Sequence, residues 1–313
     1  MTTETTTEPL RRRQRLWRAL LQNPVTMKEL RSRMRGRRAF IVLTVHLLFM
    51  SAFITLIYLL YAAAANQPFG LDVRQAGRII FGAVLGIQAL LVVFIGPSFT
   101  AGAITGEKER QTYGLLRTTL LSASAFVTGK LVSALSYVLL LILAAVPLQS
   151  IAFLLGGVSP LEFVVGGALL LVSAVTFALV GLFFSSLLRS TLAASVATFT
   201  SSLMLTFGLP AAAVVLVPLL GSTVFARAAP NPLLEVGLTY LGLALASTNL
   251  PATLVVSEIF LIEQNTVVGY TEVISGTTVY IFSPWYVYLV LYTLLALFLY
   301  WLTVRRVRRI PKT

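Results

Sequence analysis

Six long apolar runs constrain the fold of this chain more than any other feature of its sequence. A helix needs about 20 apolar residues to cross the roughly 30 Å of hydrocarbon in a bilayer, and each run is that long. They lie at about 39–62, 79–103, 126–155, 161–188, 191–220 and 284–304. Charged residues make up only 11% of the 313 residues, against roughly 25% in soluble domains. Because lipid offers backbone groups no hydrogen-bond partner, we expect these runs to be transmembrane helices.

Positive charges are distributed unevenly between the segments that connect the runs. Of the 24 Lys and Arg residues, eleven precede the first run and five follow the last. With alternating sides, 21 fall on one side, and only Arg74, Arg78 and Arg227 fall on the other. Basic residues concentrate on the cytoplasmic side of membrane proteins. The sequence therefore predicts a multi-pass protein of the plasma (inner) membrane with both termini in the cytoplasm.

A seventh, weaker apolar segment lies at about 233–262 and is interrupted by Asn249, Pro251 and Glu258. Termini on the same side require an even number of crossings, so this segment is either wholly external or re-entrant. We expect two short helices that dip into the outer leaflet, broken at Asn249–Pro251, within an external segment of about 221–282. The predicted fold is an all-α polytopic membrane protein with six transmembrane helices, forming a single transmembrane domain over residues 38–313.

The segment before the first run is amphipathic. Residues 1–9 are rich in Thr and Glu and predict a disordered cytoplasmic tail, and residues 10–37 predict an interfacial helix. Asn23 suits an N-cap and Pro24 the first helical position, while Lys28 and Arg31 share one face. Two readings stay open: a plain membrane-surface anchor, or an elbow helix that enters the first span at an angle and touches a cytoplasmic partner.

Four consecutive charged residues, Glu107 to Arg110, stand between the second and third runs. Thr105 is expected to cap a helix over about 105–120, whose first-turn carboxylates complement the helix dipole. Leucines 115, 116 and 120 would give this helix an apolar side that fits a groove on another protein. Ser122 or Ser124 is expected to cap the third span. The alternative is an ordinary solvated loop.

These motifs resemble those of one transporter family. The residues Asn23, Pro24, Lys28, Glu29, Leu30 and Arg31 resemble the elbow helix of ABC-2 type ABC transporter permeases. A second set, Gly106, Glu107, Lys108, Glu109, Arg110, Thr112, Leu115 and Leu116, resembles the coupling helix of the same family. The chain departs from the family pattern at Gln111, Gly114 and Thr119. The resemblance implies two permease chains, identical or different, paired with two ATP-binding subunits that export a substrate.

No G-x-x-x-x-G-K-[ST] phosphate-binding motif occurs in the sequence. We therefore expect no catalytic, cofactor or metal site on this chain, with ATP and Mg²⁺ bound by the partner subunit. His46, the only histidine, has no Cys beside it to complete a metal site. We expect no nucleic-acid partner, because a net charge of +13 along the inner membrane surface suits anionic lipid headgroups.

Two other function classes remain: a self-sufficient secondary transporter or lipid flippase, and a membrane enzyme. Ion-coupled carriers need titratable groups deep within the membrane. In this sequence Glu162 stands at a helix end, and Gln88 and Gln149 are uncharged. The outer acidic residues show no spacing typical of a catalytic pair, although Glu258 and Glu263 could line a substrate exit. Gly82 and Gly86 form a G-x-x-x-G that could bring two helices together. The transported substrate is not readable from the sequence.

Overall fold

The computed structural model describes residues 37–65, 73–113, 122–212, 215–216, 218–219, 232–263, 266, 268–274 and 276–309. The predicted tail and nearly all of the predicted elbow helix lie outside these residues. So do several residues predicted to contact a partner, namely Asn23, Pro24, Lys28, Glu29, Arg31, Leu115 and Leu116.

The described residues form ten α-helices and one β-hairpin. The helices are α1 (Arg37–Ala65), α2 (Val73–Thr100), α3 (Thr105–Glu109), α4 (Ala123–Ala144), α5 (Val146–Leu154), α6 (Pro160–Leu187), α7 (Thr191–Leu203), α8 (Pro232–Ala246), α9 (Leu250–Glu263) and α10 (Pro284–Arg309). A π-helical turn, Met204–Gly208, extends α7. The strands are β1 (Gly269–Ile274) and β2 (Thr277–Phe282).

Within the described ranges, six helices are long and apolar enough to cross a membrane, as predicted, and the chain is a multi-pass membrane protein. The second span, Val73–Glu109, joins α2 to α3, the third, Ala123–Leu154, joins α4 to α5, and the fifth, Thr191–Ala212, continues α7 through the π turn. The second span begins six residues before the predicted limit of 79. Its first turns carry Arg74 and Arg78, so a search for uninterrupted apolar residues did not include them.

Helix α6 occupies the centre of the bundle and α1 its periphery. In the most apolar stretch of α6, 61% of the residues are buried, against 17% for α1. Helix α6 packs against α2 and α10 along most of its length, and also against α4 and α7. Gly181 allows the closest of these approaches, because a Cβ atom there would clash with the hydroxyl of Thr100 on α2.

The third span breaks between α4 and α5, where Pro147 removes a backbone donor. A polar bridge crosses to α2 at this level. The side-chain amide of Gln149 donates to Gln88 Oε1 at 3.2 Å, and Gln88 Nε2 lies 3.4 Å from the carbonyl oxygen of Ile142. These two glutamines therefore satisfy each other, and one backbone group, inside the apolar core.

The segment before the last span forms the two short helices expected from the sequence, α8 and α9. Asn249 caps α9, since its Oδ1 accepts a hydrogen bond from the backbone N–H of Ala252 at 2.9 Å. Tyr292 on α10 donates its hydroxyl to the carbonyl oxygen of Thr248 at 2.8 Å and holds the turn between α8 and α9 against the last span. Their depth in the membrane stays a prediction.

The β-hairpin contradicts the all-α prediction. Strands β1 and β2 pair antiparallel, with Tyr270 opposite Ile281 and Ile274 opposite Thr277. Gly276 in the connection adopts φ 83°, a conformation that glycine takes without strain. The strands are rich in Thr, Val, Ile and Tyr, which favour extended backbone. Tyr240 on α8 donates its hydroxyl to the carbonyl oxygen of Tyr280, so the hairpin packs on α8.

Candidate functional site

The second span continues through a turn into α3, at the end of the bundle where α10 also ends. Ser185 on α6 fixes this turn, because its Oγ accepts hydrogen bonds from the backbone N–H groups of Ile104 at 2.8 Å and Thr105 at 3.0 Å. Thr105 is fully buried and, contrary to prediction, is not the N-cap of α3. At the start of α3 the N–H group of Thr105 instead donates to Ser185 Oγ, and that of Gly106 to the carbonyl oxygen of Gly102 in the preceding turn.

Lys108 and Glu109 cap two other helices. The Lys108 ammonium group donates to the carbonyl oxygens at the end of α6, those of Ser186 at 2.9 Å, Leu188 at 3.2 Å and Ser185 at 3.4 Å. The Glu109 carboxylate accepts a hydrogen bond from the backbone N–H of Thr191, the first residue of α7, at 2.6 Å. Each charge lies at the helix end whose dipole it complements. Together they hold the short turn between the fourth and fifth spans.

Glu107 connects the same segment to α4. Its Oε1 lies 3.2 Å from the ammonium nitrogen of Lys130, and its Oε2 accepts a hydrogen bond from the hydroxyl of Thr112. The Lys130 side chain is only 8% exposed and lies over the ring of Phe126. A lysine buried to this degree requires a counter-charge, and Glu107 supplies it. Ser122 caps α4, as one of the two predicted alternatives had it.

We call residues 104–113 the charged clamp. Tyr113 completes it, since its hydroxyl lies 3.5 Å from the carbonyl oxygen of Val307 on α10. Five spans therefore meet at the clamp: the second, which carries it, and those of α4, α6, α7 and α10. Within the predicted coupling helix of 105–120, α3 ends at Glu109. Gln111 then adopts φ 59°, which an α-helix cannot continue through.

The outer face of the clamp is polar and surrounded by positive charge. Glu109, Arg110 and Gln111 are exposed, and among the described residues Arg110 forms no ion pair. Exposed arginines of other elements point to the same end of the bundle: Arg189 between α6 and α7, and Arg305, Arg306 and Arg308 on α10. This basic end is the one that the charge distribution predicts to be cytoplasmic.

A cavity of about 470 Å³ lies in the other half of the bundle, between α1, α2, α6, α9 and the π turn. Its lining is almost entirely apolar and includes Phe53, Leu85, Leu169, Phe207 and Leu254. The two glycines of the G-x-x-x-G on α2 line this cavity. Gly86 has no atom of another element within 4 Å of the position that a Cβ would occupy, so this glycine faces open space in the chain.

The polar side chains of the cavity come from α6, α9 and the π turn, where the Thr206 hydroxyl donates to the carbonyl oxygen of Ser202. Those of α6 and α9 bear on its chemistry. They are Glu162 in the first turn of α6, and Ser257 and Glu258 on α9. Ser159 donates its hydroxyl to Glu162 Oε1 at 3.0 Å, but Glu162 Oε2 and Ser257 Oγ are buried without a hydrogen-bond partner among the described residues. Burial raises the pKa of Glu258 above its ordinary value, as does the nearby Glu162 carboxylate, whereas Arg78 on α2 lowers it. The sequence named Glu258, together with Glu263, as a possible exit lining, but it did not pair Glu258 with Glu162, because 96 residues separate these two carboxylates.

Among the described residues, no three His, Asp or Glu side chains converge to hold a metal ion. Comparison with known protein families and with curated proteins finds no match for this chain. Its function is therefore inferred from the clamp, the cavity and the motifs.

Proposed function

We propose that the chain is the membrane-spanning permease subunit of an ATP-driven ABC-2 type exporter. In this role it forms the translocation path with a second permease chain, identical or different. It is driven by separate subunits that bind ATP and Mg²⁺. The N-terminal amphipathic segment and the clamp are its two contacts with those subunits, and both face the cytoplasm of the cell.

The connectivity of the charged clamp supports this proposal most directly. A force applied to the exposed face of residues 109–111 reaches α6 through Lys108, α7 through Glu109, α4 through Glu107 and α10 through Tyr113. Switching proteins commonly convert a small displacement at one surface into rigid movements of packed helices. A segment tied to five spans is suited to that task, whereas a solvated loop would move without carrying the spans along.

The cavity in the other half of the bundle also supports a transport function. Its apolar lining and its few polar groups have the composition of sites that accept amphiphilic molecules. Its acidic groups lie near the end of the bundle opposite the clamp, where α6 begins. Movement of the clamp would alter how α2, α6 and α7 enclose this space.

The test is purification of the tagged chain from its native membrane in mild detergent, followed by identification of stoichiometric partners and an ATP hydrolysis assay. Arg110→Glu is the informative variant, because the side chain is exposed on the clamp and no described residue pairs with it. Reversing Glu107 and Glu109 would be uninformative, since both hold other helices in place. Arg308→Glu is the matched control, an exposed arginine at the same end of the bundle on α10.

We expect an ATPase subunit to co-purify with the wild-type chain and with Arg308→Glu, and its yield and activity to fall several-fold with Arg110→Glu. Co-purification that is equally reduced in both variants would indicate a general charge effect and contradict the role of the clamp. A chain that purifies without an ATPase and still moves cargo in vesicles would overturn the proposal.

The acidic groups of the cavity favour a second candidate, a proton-coupled secondary carrier. Glu258 is a partly buried titratable group, and the sequence did not reveal its burial. A proton-coupled carrier requires a group of this kind. Purified chain in sealed vesicles distinguishes the candidates. Uptake driven by a pH gradient without ATP, and abolished by Glu258→Gln, would establish the carrier.

A further inference from the structure

The cavity keeps its volume because glycine stands where larger side chains would fill it. A Cβ atom at Gly86 would meet no atom of another element within 4 Å, and one at Gly82 would lie 3.5 Å from Glu258 Oε2. Helix α2 therefore presents bare backbone to the space, and the carboxylate of α9 lies over that backbone. The volume of about 470 Å³ falls within the roughly 300–1,000 Å³ typical of small-molecule sites.

The charges around the cavity do not balance. Two carboxylates, Glu162 and Glu258, act on each other, and among the described residues the cation that acts on Glu258 is Arg78. The Arg78 Nε atom donates to the carbonyl oxygen of Gly157 at 2.8 Å, and no described ion pair joins Arg78 to either carboxylate. A partly buried carboxylate without a directly paired cation is unfavourable. With all three groups ionised, the set carries one negative charge in excess.

We propose that this cavity binds an amphiphile with a single cationic headgroup, its apolar body against α2, α6 and the π turn and its ammonium group between Glu162 and Glu258. One positive charge neutralises the excess, and both carboxylates belong to residues that line the cavity. An anionic amphiphile would meet two carboxylates. A hydrophilic cation would leave the apolar lining uncovered. That this ligand is cargo rests on the proposed function, whereas its binding to the cavity does not.

Binding is measured with the purified full chain in phosphatidylcholine nanodiscs, without any ATPase. The probe is a pyrene-labelled dodecyltrimethylammonium, and saturable transfer of tryptophan excitation to pyrene separates binding from partition into the lipid. The pyrene-labelled alcohol of the same chain length serves as the uncharged comparison. We expect saturable binding of the ammonium probe and only linear partition of the alcohol. Equal binding of both probes would overturn the headgroup assignment.

Two pairs of variants locate the site. Glu258→Gln should weaken binding at least about tenfold, since a close ion pair in a partly buried site is lost, whereas Glu272→Gln on the exposed hairpin should leave it unchanged. Gly86→Leu should fill the cavity and abolish binding. Gly167→Leu is its control, because a Cβ there also meets nothing within 4 Å and the residue does not line the cavity. Unchanged binding in Gly86→Leu or Glu258→Gln would refute the inference.

The pH profile adds an independent readout. The probe carries a permanent charge, so any titration belongs to the protein. Because the pKa of Glu258 is raised above 4.5, its carboxyl group is neutral at low pH. Affinity should rise as the pH increases through that pKa, and this rise should be absent in Glu258→Gln. A chain that binds the probe but recruits no ATPase would overturn the proposed function alone, and the converse would overturn only this inference.

Discussion

Replacing Lys108 with Met tests whether the charged clamp holds the bundle together. The substitution removes the ammonium group and keeps an unbranched side chain of similar length. Three carbonyl oxygens at the end of α6 lose their donor, those of Ser185, Ser186 and Leu188. Helix α6 is the central helix of the bundle, so loosening its end should affect the whole chain.

The cost can be worked from the geometry. A hydrogen bond to a charged group contributes about 1.5–3 kcal/mol, and only the 2.9 Å contact with Ser186 is close to the ideal length. A cation at a helix C-terminus adds about 0.3–1 kcal/mol. Lys108 is part-exposed, so water can replace some of these contacts, and we take values near the lower ends of both ranges. The expected loss is about 2 kcal/mol of unfolding free energy.

Thermal unfolding of the purified chain in mild detergent measures this loss. An unfolding entropy of about 2.1 cal/mol/K per residue over 313 residues converts about 2 kcal/mol into a fall in Tm of roughly 3 °C. Lys108→Arg, which keeps the positive charge, should recover most of the loss. Arg110→Met is the control, since this exposed side chain has no described ion pair, and it should change the unfolding free energy by less than about 0.5 kcal/mol.

A second readout reports on the turn itself. The chain contains no cysteine, so Arg189→Cys labels the connection between α6 and α7 alone. Its reaction with maleimide should accelerate when Lys108→Met is added. The clamp would be refuted as a structural element if Lys108→Met unfolded at the wild-type temperature and left the labelling rate at Arg189→Cys unchanged.

Three further predictions concern local geometry and topology. Gln111→Gly should raise the unfolding free energy by up to about 1 kcal/mol, because glycine tolerates the positive φ; a lower Tm would contradict this. Gly181→Ala should destabilise the chain by about 1–3 kcal/mol by forcing α6 from α2, whereas Gly86→Ala should not, and gel filtration with thermal melts measures both. In intact cells an impermeant maleimide should label Glu272→Cys and spare Arg189→Cys; the reverse pattern would invert the proposed orientation.

Several elements of the fold were predictable because they depend on local chemistry. The six spans followed from run length, and the break between α8 and α9 followed from Asn249 and Pro251, a capping residue and a helix-starting proline. The hairpin also had a local signal that was overlooked: two runs rich in β-branched and aromatic residues separated by Ser275 and Gly276. An apolar count cannot detect short strands on the surface of a membrane protein.

The clamp and the cavity were predictable from the sequence only in part. The charged residues of the clamp stand out in the sequence as a group, but the residues of this chain that they contact were not predictable. Lys108 contacts residues 77 to 80 positions away, and Glu109 contacts one 82 positions away. The glycines of α2 were a possible helix contact by their spacing, and in the structure they line the cavity. The same spacing serves either purpose, and only the position of the neighbouring helices distinguishes them.

The sequence by itself determined that this chain is a multi-pass membrane protein, which six runs form helices long enough to cross a membrane, and which end of the bundle is basic. Those properties depend on the transfer of apolar and charged groups between water and lipid, which each segment undergoes almost independently of the others. Only the tertiary structure decided that the charges of the clamp cap neighbouring helices and that Glu162 and Glu258 share one cavity. Such pairings depend on which helices lie side by side, and side-chain packing between distant segments sets that arrangement.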